Sequence, residues 1–215
     1  MNGRFKIIVP SWNSVAYLPK TLASIESQTY KNYDVCVIDD HSALKEQREM
    51  ISEFCTRNGW KAILHAENLG PLAGTIEAIK LLACHDEDVI LILDGDDWLF
   101  DANVLATLDH LYATEDIYLT WGSFETYPRG SRSMNYAAPV DPTVISQKLY
   151  RLITDVFGHP RTFKYRLFRE IKDEDLRDPH TGEYFRVSGD KALLYPMLEM
   201  AGEKGRANRG GVPGD

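Results

Sequence analysis

Residues Leu91-Ile92-Leu93-Asp94-Gly95-Asp96-Asp97-Trp98 end an apolar, β-prone run in three carboxylates set around one glycine. Acids rarely stand against a core unless they are paired or bound to metal. A hard divalent ion such as Mg²⁺ or Mn²⁺ takes oxygen ligands and bridges protein carboxylates to substrate phosphates. The run therefore points to phosphate-ester or nucleotide chemistry. Acids that only cap the next helix would look the same in so short a motif, and both readings stand on these residues alone.

The elements that must position this turn can be read from periodicity. Phe5 to Val9, Val35 to Asp39, Lys61 to Leu64, Val89 to Leu93 and Tyr118 to Trp121 read as strands. Between them, Leu18, Leu22 and Ile25 share one helical face after Pro19. Met50, Ile51 and Phe54 form a second stripe, Ile76, Ile79, Leu82 and Ala83 a third, and Val104, Leu105, Leu108 and Leu111 a fourth. Short strands alternating with helices predict an α/β fold, a Rossmann-like, mainly parallel sheet flanked by helices. In such sheets ligands bind beyond the carboxyl ends of the strands. Three of those ends carry compact polar signatures, Pro10 to Asn13, Asp39 to Ser42 and Asp94 to Asp97.

After Tyr127 the alternation breaks, and Pro128, Gly130, Pro139 and Pro142 punctuate a polar stretch. Helical patterning returns over Val144 to Val156. An extended segment is expected over Arg161 to Phe168, and a last helix over Lys191 to Ala201. The chain of 215 residues fits one large domain over residues 1–201, with 202–215 a flexible tail or the cut edge of a longer protein.

A formal charge of -8 speaks against broad attachment to nucleic acid or to anionic membrane. The three cysteines, Cys36, Cys55 and Cys84, show no metal-ligand spacing and fit buried packing in a reducing, cytoplasmic setting. The N-terminal apolar run is too short for a signal peptide or a spanning helix, which leaves peripheral membrane association through a further domain.

Five segments taken in order carry a resemblance. They are Ile8-Val9-Pro10-Ser11-Trp12-Asn13, Gln28 to Tyr33, Val37-Ile38-Asp39-Asp40-His41-Ser42, Asn68-Leu69-Gly70 and Asp94-Gly95-Asp96-Asp97. Together they resemble the family 2 glycosyltransferases of the GT-A fold. That resemblance implies an inverting, metal-dependent transfer of a sugar from a nucleoside diphosphate, UDP foremost, to a hydroxyl on a carbohydrate, a lipid-linked acceptor or a protein. It implies a nucleotide-sugar half over 1–127 and a loop-rich acceptor-side half over 128–201.

The resemblance assigns Pro10, Asn13, Asp39 and Asp40 to the nucleoside pocket and extends the donor site to Asn68, Gly70 and Gly95. Asp39 has the chemistry to accept a hydrogen bond from a uracil imide N–H. A cap on the helix after Ser42 is the plainer role for Asp39 or Asp40. Asp94 and Asp96 are the implied ligands of a divalent cation, Mn²⁺ or Mg²⁺, with Asp96 the more direct. Asp97 then caps the helix beginning near Asp101 or positions Asp96.

Many relatives carry Ala-Arg-Asn where this chain has Gly74-Thr75-Ile76, so Arg161, Lys164 and Arg166 become candidates to hold the phosphates, and Gly70 and Gly74 fit close packing of loop and helix. Asp190, in Val187-Ser188-Gly189-Asp190-Lys191, resembles the family's late acid and is the candidate base, with an N-cap as its alternative; the acid usual before it is here Gly189. His159 and His180 are polar enough to complete a metal shell or meet the diphosphate. Trp98 and Trp121 could stack on a sugar face or pack in the core. Two other functions remain open at this level. A haloacid-dehalogenase-like phosphatase would use Asp94 as nucleophile, and a non-catalytic module would bind a nucleotide sugar or a glycan.

Overall fold

The computed structural model describes residues 3–128, 137–153 and 156–208. Phe5–Ser11 (β1), Tyr33–Asp39 (β2), Lys61–Leu64 (β3) and Val89–Ile92 (β4) pair in parallel in the order β3-β2-β1-β4. Beyond β4 the sheet turns antiparallel. Arg161–Lys164 (β6) runs against both β4 and Leu119–Trp121 (β5), and Gly205–Ala207 (β7) joins β5 in parallel at the far edge. This is the expected α/β sheet flanked by helices.

The helices Leu18–Glu26 (α1), Lys45–Asn58 (α2), Pro71–Leu81 (α3) and Val104–Thr114 (α4) connect the first strands. β1, β2 and β4 are buried on both faces, and their alternation sorts two cores, while the edge strand β3 buries only Ile63. Ile8, Cys36, Ile38 and Ile90 face α3 with Leu72, Ile76 and Ile79. Ile7, Val9, Val35, Val37 and Leu91 face Leu18 and Leu22 of α1, Ile51 of α2 and Leu105 and Leu108 of α4.

The second half departs from its sequence pattern in three places. Val144 to Val156 does not form one helix. It gives Pro142–Ser146 (α5), with Thr143 N–H donating to the Asp141 side chain at 2.7 Å, and then a 3₁₀ turn over Tyr150–Leu152. Lys148, at φ 54°, interrupts the run in the left-handed region. Thr154 and Asp155 lie outside the described residues, as does Gly130 in the polar stretch.

The expected extension to Phe168 stops at Lys164, and Tyr165–Phe168 (α6) is helical because the amides of Tyr165 and Arg166 turn to the carbonyls of Asp88 and Asp86. The last helix, Gly189–Ala201 (α7), begins two residues before Lys191.

The stretch after Ala201, read as a tail or cut edge, is ordered through β7. Tyr118 N–H donates to the Lys204 carbonyl at 2.8 Å, Asn208 N–H to that of Trp121 at 2.7 Å, and Arg206 pairs with Glu115. The open edge of β5 supplies these partners, which composition alone cannot announce. Among the described residues no helix is long and apolar enough to cross a membrane.

Candidate active site

The acidic turn is built by the end of β1. Leu93 N–H donates to the Ile8 carbonyl at 3.0 Å and Gly95 N–H to that of Pro10 at 2.9 Å, while Thr21 Oγ1 on α1 donates to the Gly95 carbonyl at 3.1 Å. Pro10 therefore acts through its backbone and is itself buried in β1. Only glycine fits at 95, because a Cβ there would stand 2.5 Å from Ser11 Cβ. These contacts hold Asp94 at the carboxyl end of β4, next to β1. This is the point where strand order reverses and where α/β sheets open a crevice.

His159 comes to the same place from the loop before β6. Gly122 N–H donates to the Gly158 carbonyl at 3.0 Å, and a side chain at Gly122 would meet Pro160 Cδ at 2.7 Å, so this loop lies tight against the end of β5. One ligand atom each from Asp94, Asp97 and His159 lie within 4.8 Å of one another. His159 Nδ1 is 3.5 Å from an Asp97 oxygen and is buried without a hydrogen-bond partner.

The two carboxylates are oxygen donors of the kind Mn²⁺ and Mg²⁺ take, and the orphaned imidazole nitrogen facing them adds a ligand that a transition ion such as Mn²⁺ accepts more readily than Mg²⁺. Burial raises the Asp94 pKa above the usual carboxylate range. The charges of Asp97 and Asp96 raise it further, against His159 and Arg161, which lower it. Asp96 is exposed and lies outside the three-ligand grouping. Asp97 does not cap a helix, since α4 starts at Val104 behind Asn103.

Register separates the three candidate cations. Arg161 stands opposite Ile92 at the carboxyl end of β4, and Lys164 stands opposite Val89 at the other end. Lys164 and Arg166 both pair with Glu87. Arg161 Nε donates to the Phe157 carbonyl at 2.8 Å and Nη1 to Asp190 at 2.9 Å.

Asp190 is the second residue of α7, and Ser188 holds the cap position, so it is not an N-cap. Gly189 lets α7 approach α3: a Cβ there would be 2.9 Å from Leu72 Cβ. Partial burial pushes the Asp190 pKa up, but the Arg161 hydrogen bond and charge, with Lys191, outweigh it and hold it below the usual value.

At the end of β2 the two acids are fully engaged. Asp39, completely buried, accepts from Ser42 N–H at 3.1 Å, Gln47 Nε2 at 3.0 Å and Arg48 Nη1 at 3.0 Å. Asp40 accepts from Leu69 N–H and Gly70 N–H at 2.8 Å each and faces His65 Nδ1 at 2.8 Å. Neither caps α2, whose cap position is Leu44.

Asn68 Nδ2 donates to the Asp40 carbonyl at 3.1 Å, and Gly70, at φ 87°, opens α3. Asn13 accepts from Ala43 N–H at 2.9 Å, and its own amide donates to Ser42 Oγ at 2.9 Å. Beside them a concavity of about 350 Å³ is lined by His41, Ser42, Lys45, Arg48 and His65.

Sequence reasoning missed Gln47 and Arg48 as the partners that orient Asp39. Gln47 occupies a core position of α2, in step with Ile51 and Cys55, and a polar residue in an apolar stripe was the available signal. Trp121 is core, stacked edge-on to Phe157. Trp98 is partly exposed at 5.3 Å from the Tyr127 ring, with Lys20 Nζ 3.5 Å above its centroid. His180 lies in an exposed turn and is not part of the acidic grouping.

A doubly flanked sheet with carboxylates at the β1/β4 switch point is the architecture of the GT-A class. The sequence profile of glycosyl transferase family 2 matches residues 6–172, and the chain belongs to that family. It is 24% identical over 207 residues to the glycosyltransferase GlyG of Streptococcus pneumoniae, covering 94% of this chain and 67% of the relative. An uncharacterized glycosyltransferase of Rickettsia bellii is 27% identical over 177 residues, 79% of this chain and 24% of that protein.

Among solved structures, residues 1–349 of S. aureus TarS superpose with a TM-score of 0.69 at 17% identity, over 96% of this chain and 58% of that one; TarS has also been solved with UDP and with UDP-GlcNAc. The mannosyltransferase PcManGT of Pyrobaculum calidifontis, in complex with GDP-Man and Mn²⁺, gives a TM-score of 0.60 at 15% identity, over 97% of this chain and 57% of that one. The chain thus spans from a quarter to two thirds of the length of these proteins.

Proposed function

We propose that this chain carries out an inverting glycosyl transfer from a nucleoside diphosphate sugar, UDP foremost, to an acceptor hydroxyl, assisted by a divalent cation. The observation that carries the reading is the convergence of Asp94, Asp97 and His159 beside the Arg161–Asp190 pair, at the strand end where GT-A folds open their crevice. Asp94, Asp97 and His159 would hold Mn²⁺ or Mg²⁺, with Asp96 exposed at their side for the donor. Bound there, the cation would offset the charge that develops on the departing diphosphate.

The remaining steps fall to the chain's own residues. The Asp190 carboxylate takes the proton of the acceptor hydroxyl as that oxygen bonds the anomeric carbon, and the bond to phosphate breaks with its electron pair leaving on the nucleoside diphosphate. Arg161 supplies the cation that Gly74-Thr75-Ile76 does not. The concavity at the end of β2, lined by Ser42 and Arg48 and lying beside Asn13 and the buried Asp39, receives the base. Asp40 holds the Asn68–Gly70 turn in place beside it. Asp39 is completely buried and already holds three donors, so an N–H of the base competes with Ser42, Gln47 and Arg48 for it.

Residues 1–127 form the donor half and 128–201 the acceptor half, and the acceptor is a carbohydrate, lipid-linked or protein hydroxyl. The three free thiols support a reducing, cytoplasmic setting. Family membership weighs against the phosphatase and the purely binding module. Thermal stabilisation by UDP, GDP, CDP and dTDP, each with and without Mn²⁺, tests the reading, because a ligand selective for the folded state raises the melting temperature. A cation-dependent shift selective for one nucleotide is expected; no shift with any of them at millimolar concentration refutes the donor site.

A further inference from the structure

Resting on that donor-site reading, we propose that Arg161 is shared between Asp190 and the donor diphosphate, so that donor binding breaks the Arg161–Asp190 ion pair and frees Asp190 for the acceptor. The geometry has four parts. First, pairing of β6 with β4 sets Arg161 against Ile92, two residues before Asp94, and its charge acts on the Asp94 carboxylate. Second, Nε is anchored on the Phe157 carbonyl, which fixes the stem of the guanidinium and leaves its terminal nitrogens to choose a partner. Third, the Arg161 side chain is 16% exposed and that of Asp190 53%, so the acid is open to an incoming hydroxyl while the cation faces inward. Fourth, Lys164 and Arg166 are engaged by Glu87 at the opposite strand end, so of the three cations considered only Arg161 is placed for a phosphate.

A guanidinium fork pairs with two phosphate oxygens as readily as with a carboxylate, and a diphosphate brings more negative charge than Asp190 does. When the fork turns to phosphate, Asp190 loses its counter-ion and keeps the charge of Lys191 on its own helix. It then becomes a stronger base at the moment a sugar is present to be attacked. Without donor the base is neutralised, so proton abstraction is coupled to donor occupancy and the order of binding is donor first. Arg161 is on this account a positioning residue for Asp190 as well as a ligand of the donor.

Calorimetric titration with UDP and with UMP, both in Mn²⁺, tests the sharing on wild type, Asp190→Asn, Arg161→Gln and the double variant. Asp190→Asn no longer competes for the fork, so UDP binds roughly threefold to tenfold more tightly, a gain in keeping with a half-exposed ion pair, while UMP, lacking the β-phosphate, gains less. Arg161→Gln weakens UDP and abolishes the effect of the second substitution. Arg161→Lys, which keeps the charge without the fork, falls between.

UDP affinity unchanged or weakened in Asp190→Asn, with wild-type binding intact, overturns the sharing and leaves the donor site standing. Absence of UDP, GDP, CDP and dTDP binding in wild type overturns both. If another of these diphosphates binds in place of UDP, it and its monophosphate take the same roles in the titration.

Discussion

Gly95→Ala is the sharpest probe of how the acidic turn is held. The added methyl would stand 2.5 Å from Ser11 Cβ, 2.9 Å from Ser14 Oγ and 3.1 Å from Ser11 Cα. Ordinary carbon contacts begin near ~3.5 Å, so the turn must move off β1 by about 1 Å. The Gly95–Pro10 backbone bond at 2.9 Å and the Thr21–Gly95 bond at 3.1 Å stretch with it.

Overpacking of this kind destabilises by about 1–3 kcal/mol, which for a chain of this length lowers Tm by roughly 2–12 °C. The larger effect falls on function, because displacing a reacting constellation by ~1 Å lowers rates on the order of a hundredfold. Thermal melting paired with Mn²⁺ titration monitored by EPR reads both. An unchanged Tm together with unchanged Mn²⁺ affinity would refute the claim that β1 positions the acids.

Three further outcomes follow from the same geometry. Asp40→Ala strips acceptors from the part-buried amide of Leu69, the buried amide of Gly70 and from His65, and is expected to destabilise by about 2–4 kcal/mol in urea denaturation, whereas Asp190→Ala, half-exposed, stays within about 1 kcal/mol; equal effects would contradict the assigned roles.

Burial pushes the Cys36 thiol up to about 12 and those of Cys55 and Cys84 up to about 11, from an ordinary 9.0. The folded state therefore holds protons that the unfolded chain releases. This contribution is complete below pH 9 and is lost as pH rises towards 11–12, so the urea midpoint falls between pH 8 and pH 10, and a flat or rising midpoint would count against it. Because the Asp94 pKa is raised, Mn²⁺ binding weakens on acidification from above the usual carboxylate range; affinity constant down to pH 4 would exclude Asp94 as a ligand.

The first half of the chain was legible because each signal was local. Apolar runs at Ile7 and Leu91 and stripes at Leu18 and Ile76 mark layers that bury their own faces, and the strand order puts Pro10, Asp39 and Asp94 at one edge. Long-range pairing hid the rest. His159 and His180 are equal candidates for a metal shell in the sequence, and only the pairing of β6 with β4 and β5 brings the first to Asp97. Arg161, Lys164 and Arg166 look alike on paper, and only antiparallel register puts the first at the Asp94 end of β4. The strand at Gly205 is written in the open edge of β5 rather than in its own composition. Asp190 resembled a cap because capping is read from the residue before a helix, while α7 begins one residue earlier, where Gly189 meets Leu72.

UDP affinity measured with and without Mn²⁺ for wild type, Asp96→Ala, Asp97→Ala and His159→Ala tests the metal site head-on. Mn²⁺ is expected to tighten UDP binding at least about tenfold in wild type, the order of effect of a metal ligand, with most of that gain lost in Asp97→Ala and His159→Ala and less lost in Asp96→Ala. UDP binding that is indifferent to Mn²⁺, or a gain that survives loss of both Asp97 and His159, would contradict that site.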